Sequence, residues 1–200
     1  MTLLSKRDTR HWARRQRQRT TVDASRRIGA SLLSLVDAST VYAYAPDPAR
    51  GELDLLRTFG QLAERGATVA LPRIDGRRSL VFHVWRPNDE LIADARYSIL
   101  EPAPTTPLAP PPDAIILPGL AASPSGGRLG YGGGFYDALL ARYPNAVRIF
   151  PVASGCITPH LASEPHDAPV DLIVTERFCL WTRSRKLPTV QPGASPAVSG

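Results

Sequence analysis

Apolar positions along the chain fall into short runs of two kinds, and their spacing separates strands from helices. Residues 40–44 (Thr-Val-Tyr-Ala-Tyr), 67–71 (Ala-Thr-Val-Ala-Leu) and 80–85 (Leu-Val-Phe-His-Val-Trp) are rich in β-branched and aromatic residues and read as three strands. The runs at 114–117, 147–152 and 170–174 read as three more, with Pro151 weakening the second. Helical spacing appears in between. Ile28, Leu32, Leu35 and Val36 share one face of a helix that Asp23 or Ser25 can cap. Leu55, Leu56, Phe59, Leu62 and Ala63 share the inner face of a helix running from Glu52 to Arg65 and stopped by Gly66. Residues 5–19 read as a basic helix with Trp12 as its one large apolar group, and residues 136–142 as a further helix.

Strands alternating with helices predict one α/β domain over residues 1–181. Its sheet is mostly parallel, with helices on both faces. Residues 1–37 form its basic helical start. Six prolines between 102 and 112 exclude regular structure there and make that segment a connector. Residues 182–200, rich in Pro, Ser, Ala and Gly, read as a mobile tail.

Composition narrows the class. Hydrophobic residues make up 43% of the chain, enough for a sizeable core, and no apolar run reaches the length of a membrane span. The basic N-terminus lacks the apolar stretch of a secretory signal. Cys156 and Cys179 form no C-x-x-C pair; they suit a reducing cytosol and read as buried small apolar residues. Within residues 1–27, Lys6, Arg7, Arg10, Arg14, Arg15, Arg17, Arg19, Arg26 and Arg27 stand against only Asp8 and Asp23. That surplus exceeds the +6 of the whole chain, so the basicity belongs to this segment, which attracts polyanions.

The chemistry concentrates at Gly126-Gly127-Arg128-Leu129-Gly130-Tyr131-Gly132-Gly133-Gly134-Phe135-Tyr136-Asp137. The stretch lies between a strand and a helix, where glycines let backbone N–H groups approach a ligand and the helix N-terminus favours a phosphate. It matches neither the P-loop nor the Rossmann spacing. Lys6, Arg7 and Arg10 lie on adjacent turns of one helix. They read equally as a clamp on a triphosphate, a solvated face or a nucleic-acid patch. Asp137 can hold Mg²⁺ or answer the helix N-terminal charge. Glu52 can accept hydrogen bonds from the N–H groups of a ligand or serve as a helix-start charge. Tyr131, Phe135 and Tyr136 can stack on a flat ring or pack the core, with core the default for Phe135. His160 and His166, beside Glu164 and Asp167, fit no zinc spacing.

The glycine-rich stretch, preceded by Leu117-Pro118-Gly119-Leu120, resembles the signature of the 5-formyltetrahydrofolate cyclo-ligase family. The similarity runs from about Lys6 to Glu176. It implies that Lys6, Arg7 and Arg10 contact ATP phosphates, together with Arg128, Leu129, Gly130, Tyr131, Gly132, Gly133, Gly134, Phe135 and Tyr136. It implies further that Asp137 binds Mg²⁺, and that Glu52, Tyr97 and Tyr136 meet the folate. Arg128, Lys6 and Arg10 would carry the catalytic charge. Leu71-Pro72-Arg73, Glu101-Pro102 and the run from Pro165 to Glu176 resemble further landmarks of the family.

Three positions depart from its pattern. Ala121-Ala122-Ser123 stands where Ala-Phe-Asp is usual, Cys156 where glutamine is common, and Leu161-Ala162 where Leu-Pro is usual. The implied reaction joins N10 to the formyl carbon of 5-formyltetrahydrofolate after ATP phosphorylates the formyl oxygen, giving 5,10-methenyltetrahydrofolate, ADP and phosphate. The implied partners are ATP, Mg²⁺ and the folate, polyglutamylated or not. A cytoplasmic monomer is expected, with neither a membrane nor nucleic acid as partner. The competing reading is a family-like fold that has lost catalysis and binds nucleic acid through residues 6–27.

Overall fold

A computed structural model describes residues 5–17, 22–76, 78–94, 99–159, 161–162 and 168–183. Tyr97, His160, Glu164, His166, Asp167 and all of the tail after residue 183 lie outside the described residues. The element order is α1 (Lys6–Arg17), α2 (Val22–Leu35), β1 (Thr40–Tyr42), α3 (Leu56–Glu64), β2 (Thr68–Ile74), β3 (Leu80–Val84), β4 (Leu91–Ala93), β5 (Leu100–Pro102), β6 (Ala114–Ile116), β7 (Ala121–Ala122), β8 (Arg128–Leu129), α4 (Phe135–Arg142), β9 (Val147–Pro151), β10 (Leu172–Val174) and β11 (Cys179–Trp181).

The central sheet has seven strands in the order β11-β10-β9-β6-β1-β2-β3. The five inner strands are parallel, and an antiparallel strand closes each edge. Alternation along each strand sends side chains to two cores. Val41, Ile116, Ile149, Leu172 and Val174 meet Ile28 and Leu32 of α2 and Phe59 and Leu62 of α3. Tyr42, Ile115, Phe150 and Ile173 meet Leu139 and Leu140 of α4 on the opposite face. The α/β class with helices on both faces is thereby the observed one. Among the described residues, no helix is long and apolar enough to cross a membrane.

Several boundaries differ from the expectation. Helix α2 starts at Val22, so Asp23 lies in its first turn and is not a cap outside it. Helix α3 starts at Leu56, because residues 47–51 fold first into a single 3-10 turn. Asp47 caps that turn by accepting from Arg50 N–H, Pro48 fixes its first residue and Gly51 closes it at φ 63°. Glu52 therefore sits in a loop, not on the helix. Pro102 ends a two-stranded ribbon opposite Leu91, an edge position that needs no ladder donor. Cys156 is buried, its thiol pushed up to about 11 by burial, whereas Cys179 on the edge strand β11 is exposed, contrary to its reading as a core residue.

Between β6 and α4 the chain does not pass straight into a glycine loop. It first makes the β7–β8 hairpin, pairing Ala121 with Leu129 and Ala122 with Arg128. Arg128 and Leu129 are strand residues for that reason. Ser123 closes the hairpin: its Oγ accepts from Gly127 N–H at 2.9 Å, an acceptor role served here without a carboxylate. Ala13 and Trp12 of α1 pack on Leu120, Ala121 and Leu129, which pins the basic helix to this hairpin. Gly119, just before the hairpin, is there for close approach: a Cβ on it would lie 2.8 Å from the Phe150 ring and 3.1 Å from the Leu129 carbonyl. Gly119→Ala is expected to cost about 1–3 kcal/mol, read as a lower denaturant midpoint with an unchanged slope.

Candidate functional site

Strand order reverses between β1 and β6, since β2 follows β1 on one side while β9 and β10 follow β6 on the other. Ligands in parallel α/β sheets gather at that switch point, outside the carboxyl ends of the strands. A cavity of about 1190 Å³ opens there. Its wall is built from the segments after β1 (Tyr44, Asp47, Arg50, Glu52), the end of β2 (Pro72, Ile74), the β2–β3 turn (Gly76, Arg78), Glu101 of β5, Pro118 after β6, and residues 128–137. Lys6 and Arg10 close it from α1.

The glycine loop is shaped around cations. Gly132 and Gly134 have φ of 94° and 73°, a region that other residues rarely adopt. The Arg10 Nε donates to the Gly130 carbonyl at 3.1 Å, and a Cβ on Gly132 would lie 3.3 Å from the Arg10 guanidinium. Arg78 lies beside Gly134 and is itself held at φ 56°. Gly134 precedes the first turn of α4, so the helix dipole points into the same space. Arg128 is nearly buried, with 7% of its side chain exposed. Its Nη1 donates to the Pro118 carbonyl at 3.0 Å and its Nη2 to Asp137 Oδ1 at 3.2 Å, and it lies over the Tyr136 ring. Asp137 keeps 44% of its side chain exposed at the cavity mouth.

The other end of the cavity is walled by tyrosines and carboxylates. Glu52 Oε2 accepts from Asp47 N–H at 2.9 Å. Burial raises the Glu52 pKa above the usual carboxylate range, against the hydrogen bonds from the Tyr131 hydroxyl and Asp47 N–H and the charge of Arg17. Burial, then the Glu52 charge, raises the hydroxyl pKa of Tyr44, Tyr131 and Tyr136, which keeps all three neutral at physiological pH. Phe135 is half-buried on the cavity wall, not in the core.

The structure thus brings together Lys6, Arg10, Glu52, Arg128, Asp137 and residues 129–136 in one cavity. Arg7 is exposed and does not line it, because its helix turns Lys6 and Arg10 toward the loop. Sequence reasoning gave no site role to Arg17, Arg50, Arg78 or Glu101, though Glu101-Pro102 stood out as a family landmark. Arg17 shares a helix face with Lys6, Arg10 and the fully buried Ala13, an i, i+4, i+7, i+11 stripe that marks it in retrospect. Glu101 is only 2% exposed; its oxygens are engaged by Ile74 N–H at 2.8 Å and Arg73 at 3.3 Å, so it fixes the cavity wall. Burial raises its pKa too.

The sequence model of the 5-formyltetrahydrofolate cyclo-ligase family matches residues 2–176. The chain belongs to the 5-formyltetrahydrofolate cyclo-ligase family. A 5-formyltetrahydrofolate cyclo-ligase of Mycolicibacterium smegmatis is 33% identical over 154 residues, covering 71% of this chain and 76% of that relative. The NMR structure of Aquifex aeolicus 5,10-methenyltetrahydrofolate synthetase superposes with a TM-score of 0.77 at 25% identity, over 94% of this chain and 98% of that one. A 5,10-methenyltetrahydrofolate synthetase from Mycoplasma pneumoniae shares the fold, with a TM-score of 0.69 at 17% identity over 86% of this chain and 99% of that one.

Membership in the cyclo-ligase family makes this chain an enzyme, a ligase of folate metabolism. The nucleic-acid reading is not favoured: Lys6 and Arg10 line the cavity, and Arg17 donates to protein acceptors. Among the described residues, no cluster of three or more His, Cys, Asp or Glu side chains gathers to hold a metal. A single carboxylate at the cavity mouth, such as Asp137, still suits Mg²⁺, which keeps waters and phosphate oxygens as its other ligands.

Proposed function

We propose that this cyclo-ligase family member converts 5-formyltetrahydrofolate to 5,10-methenyltetrahydrofolate with ATP as the phosphoryl donor, releasing ADP and phosphate. The observation that supports this is the joining, in one cavity, of a cation-flanked glycine loop at a helix N-terminus with a half-buried carboxylate among tyrosines. The first end suits a triphosphate and the second a flat, polar-edged ring.

The residues divide the task. Backbone N–H groups of the loop, with Lys6, Arg10 and Arg128, offset phosphate charge as the γ-phosphoryl group moves to the formyl oxygen. Held by Asp137, Mg²⁺ would supply further neutralisation of phosphate charge. Glu52 accepts hydrogen bonds from the pterin edge, and Tyr136, with Tyr97 as a second candidate, confines the ring so that N10 lies against the formyl carbon. N10 bonds to that carbon, its proton leaves to solvent, and phosphate departs with the former formyl oxygen. N10 is the nucleophile, so no protein base is assigned. Cys156 and Cys179 are both free thiols, which supports a reducing, cytoplasmic site of action.

The test is absorbance in the methenyl-folate band with purified protein, 5-formyltetrahydrofolate and Mg²⁺, started by ATP. A rise that requires ATP is expected. Folded protein that gives none overturns the reading.

A further inference from the structure

Arg17 ends α1, yet it does not face solvent alone. Its Nη1 donates to the Tyr131 hydroxyl at 2.6 Å and to the Arg50 carbonyl at 3.2 Å, and its Nη2 donates to the Gly119 carbonyl. One guanidinium therefore ties the glycine loop, the turn before Glu52 and the turn after β6. A guanidinium has five donors and no acceptor. In this contact the Tyr131 oxygen must accept, and its single proton is left for another partner. The Glu52 carboxylate lines the same cavity, and its charge acts on that hydroxyl.

We infer that Arg17 is a positioning residue for folate recognition: by occupying the Tyr131 oxygen as a donor, it commits the tyrosine proton to Glu52 and holds that carboxylate in place for the pterin. The inference rests on the folate-binding reading of Glu52. An ionised carboxylate accepts at about four lone-pair sites, so the contacts with Asp47 N–H and Tyr131 leave others for a ligand. Geometry and charge act in the same sense. Removing Arg17 deletes a cation near Glu52 and frees the Tyr131 proton to turn away, and either change favours the protonated acid. The other groups facing Glu52 are the Asp47 carboxylate on its own segment, Tyr44 after β1 and Tyr136 on α4, with the Arg50 guanidinium over the Tyr131 ring. None of these donates to the Tyr131 oxygen in place of Arg17.

The experiment compares Arg17→Met, Arg17→Lys and Tyr131→Phe across pH. Arg17→Met is expected to lower kcat/KM for 5-formyltetrahydrofolate about tenfold at neutral pH, in line with one charge-assisted hydrogen bond. The acid limb of that profile should move to higher pH, because the ionised carboxylate is the form that accepts. KM for ATP should change by less than about twofold. Arg17→Lys should recover part of the loss, since an ammonium can serve Tyr131 but not all three acceptors. Tyr131→Phe should shift the acid limb the same way, and Arg17→Met combined with Tyr131→Phe should shift it no further than Arg17→Met alone.

An acid limb unmoved in Tyr131→Phe overturns the inference, as does a folded Arg17→Met that weakens ATP and folate equally with no limb shift. Tyr131→Phe carries the test alone should Arg17→Met fail to fold. Calorimetric binding of 5-formyltetrahydrofolate over the same pH range gives the readout without turnover. A wild-type protein that binds folate but forms no product counts against the proposed reaction and leaves this inference standing or falling on its own shift.

Discussion

Arg128→Ala is expected to lower kcat by about 10²–10³-fold, on the order of 3–4 kcal/mol of transition-state stabilisation. The side chain is 7% exposed and lies between the Pro118 carbonyl, Asp137 and the face of Tyr136. In water-poor surroundings a fixed cation interacts with developing phosphoryl charge far more strongly than it would at the surface. Two further consequences follow from its bonds. Asp137 loses the partner 3.2 Å away that orients it, and the Pro118 carbonyl loses a donor at 3.0 Å. Arg128→Lys should restore less than tenfold, because one ammonium cannot span both acceptors as the guanidinium fork does.

Stability separates the two ways this variant can fail. Loss of a hydrogen-bonded buried cation should cost about 1–3 kcal/mol, visible in the denaturant midpoint. That cost leaves a domain of this size largely folded at moderate temperature. A fall in kcat measured in single turnover on folded protein therefore reports charge stabilisation. Turnover within tenfold of wild type would remove Arg128 from the reacting centre.

What was legible in the sequence follows from how local each cause is. The parallel strands were readable because burial on both faces makes them short and apolar: 114–116 and 172–174 could be little else. The β7–β8 hairpin was not, since two residues a side carry no period; its pairing is a tertiary fact, made by packing under α1. The same holds for β11, three residues of an edge strand that, among the described residues, pairs with β10 alone. The misplacement of Glu52 had a local remedy. Asp47-Pro48 with Gly51 is a cap, a helix-start proline and a left-handed stop, enough to mark a separate turn before α3. Arg17 was likewise present as a stripe with Arg10 and Ala13. The role of Glu101, noticed only as part of a family landmark, was not: its carboxylate answers the N–H of Ile74, which stands 27 residues earlier in the chain.

Glu52→Gln is expected to raise KM for 5-formyltetrahydrofolate about 10- to 100-fold while KM for ATP stays within about twofold. A charge-assisted hydrogen bond contributes about 1.5–3 kcal/mol, and each 1.4 kcal/mol is a factor of ten. Glutamine keeps the size of the side chain and one acceptor oxygen, so the contact from Asp47 N–H at 2.9 Å can persist. It replaces the second oxygen with a donor, which meets the pterin amino and ring N–H groups donor to donor. The pH dependence supplies an independent check. Burial raises the Glu52 pKa, so in wild type kcat/KM for folate should fall as pH drops through a point above the ordinary carboxylate range. The protonated acid offers fewer acceptor sites, and that direction follows from its sign. In Glu52→Gln nothing titrates at this position, so that limb should vanish and the profile flatten at the lower value. A limb that survives unchanged in Glu52→Gln would belong to another group, with the buried Glu101 the next to test. Equal increases in KM for both ligands would move Glu52 out of the folate end of the cavity and leave it as support for the turn at residues 47–51.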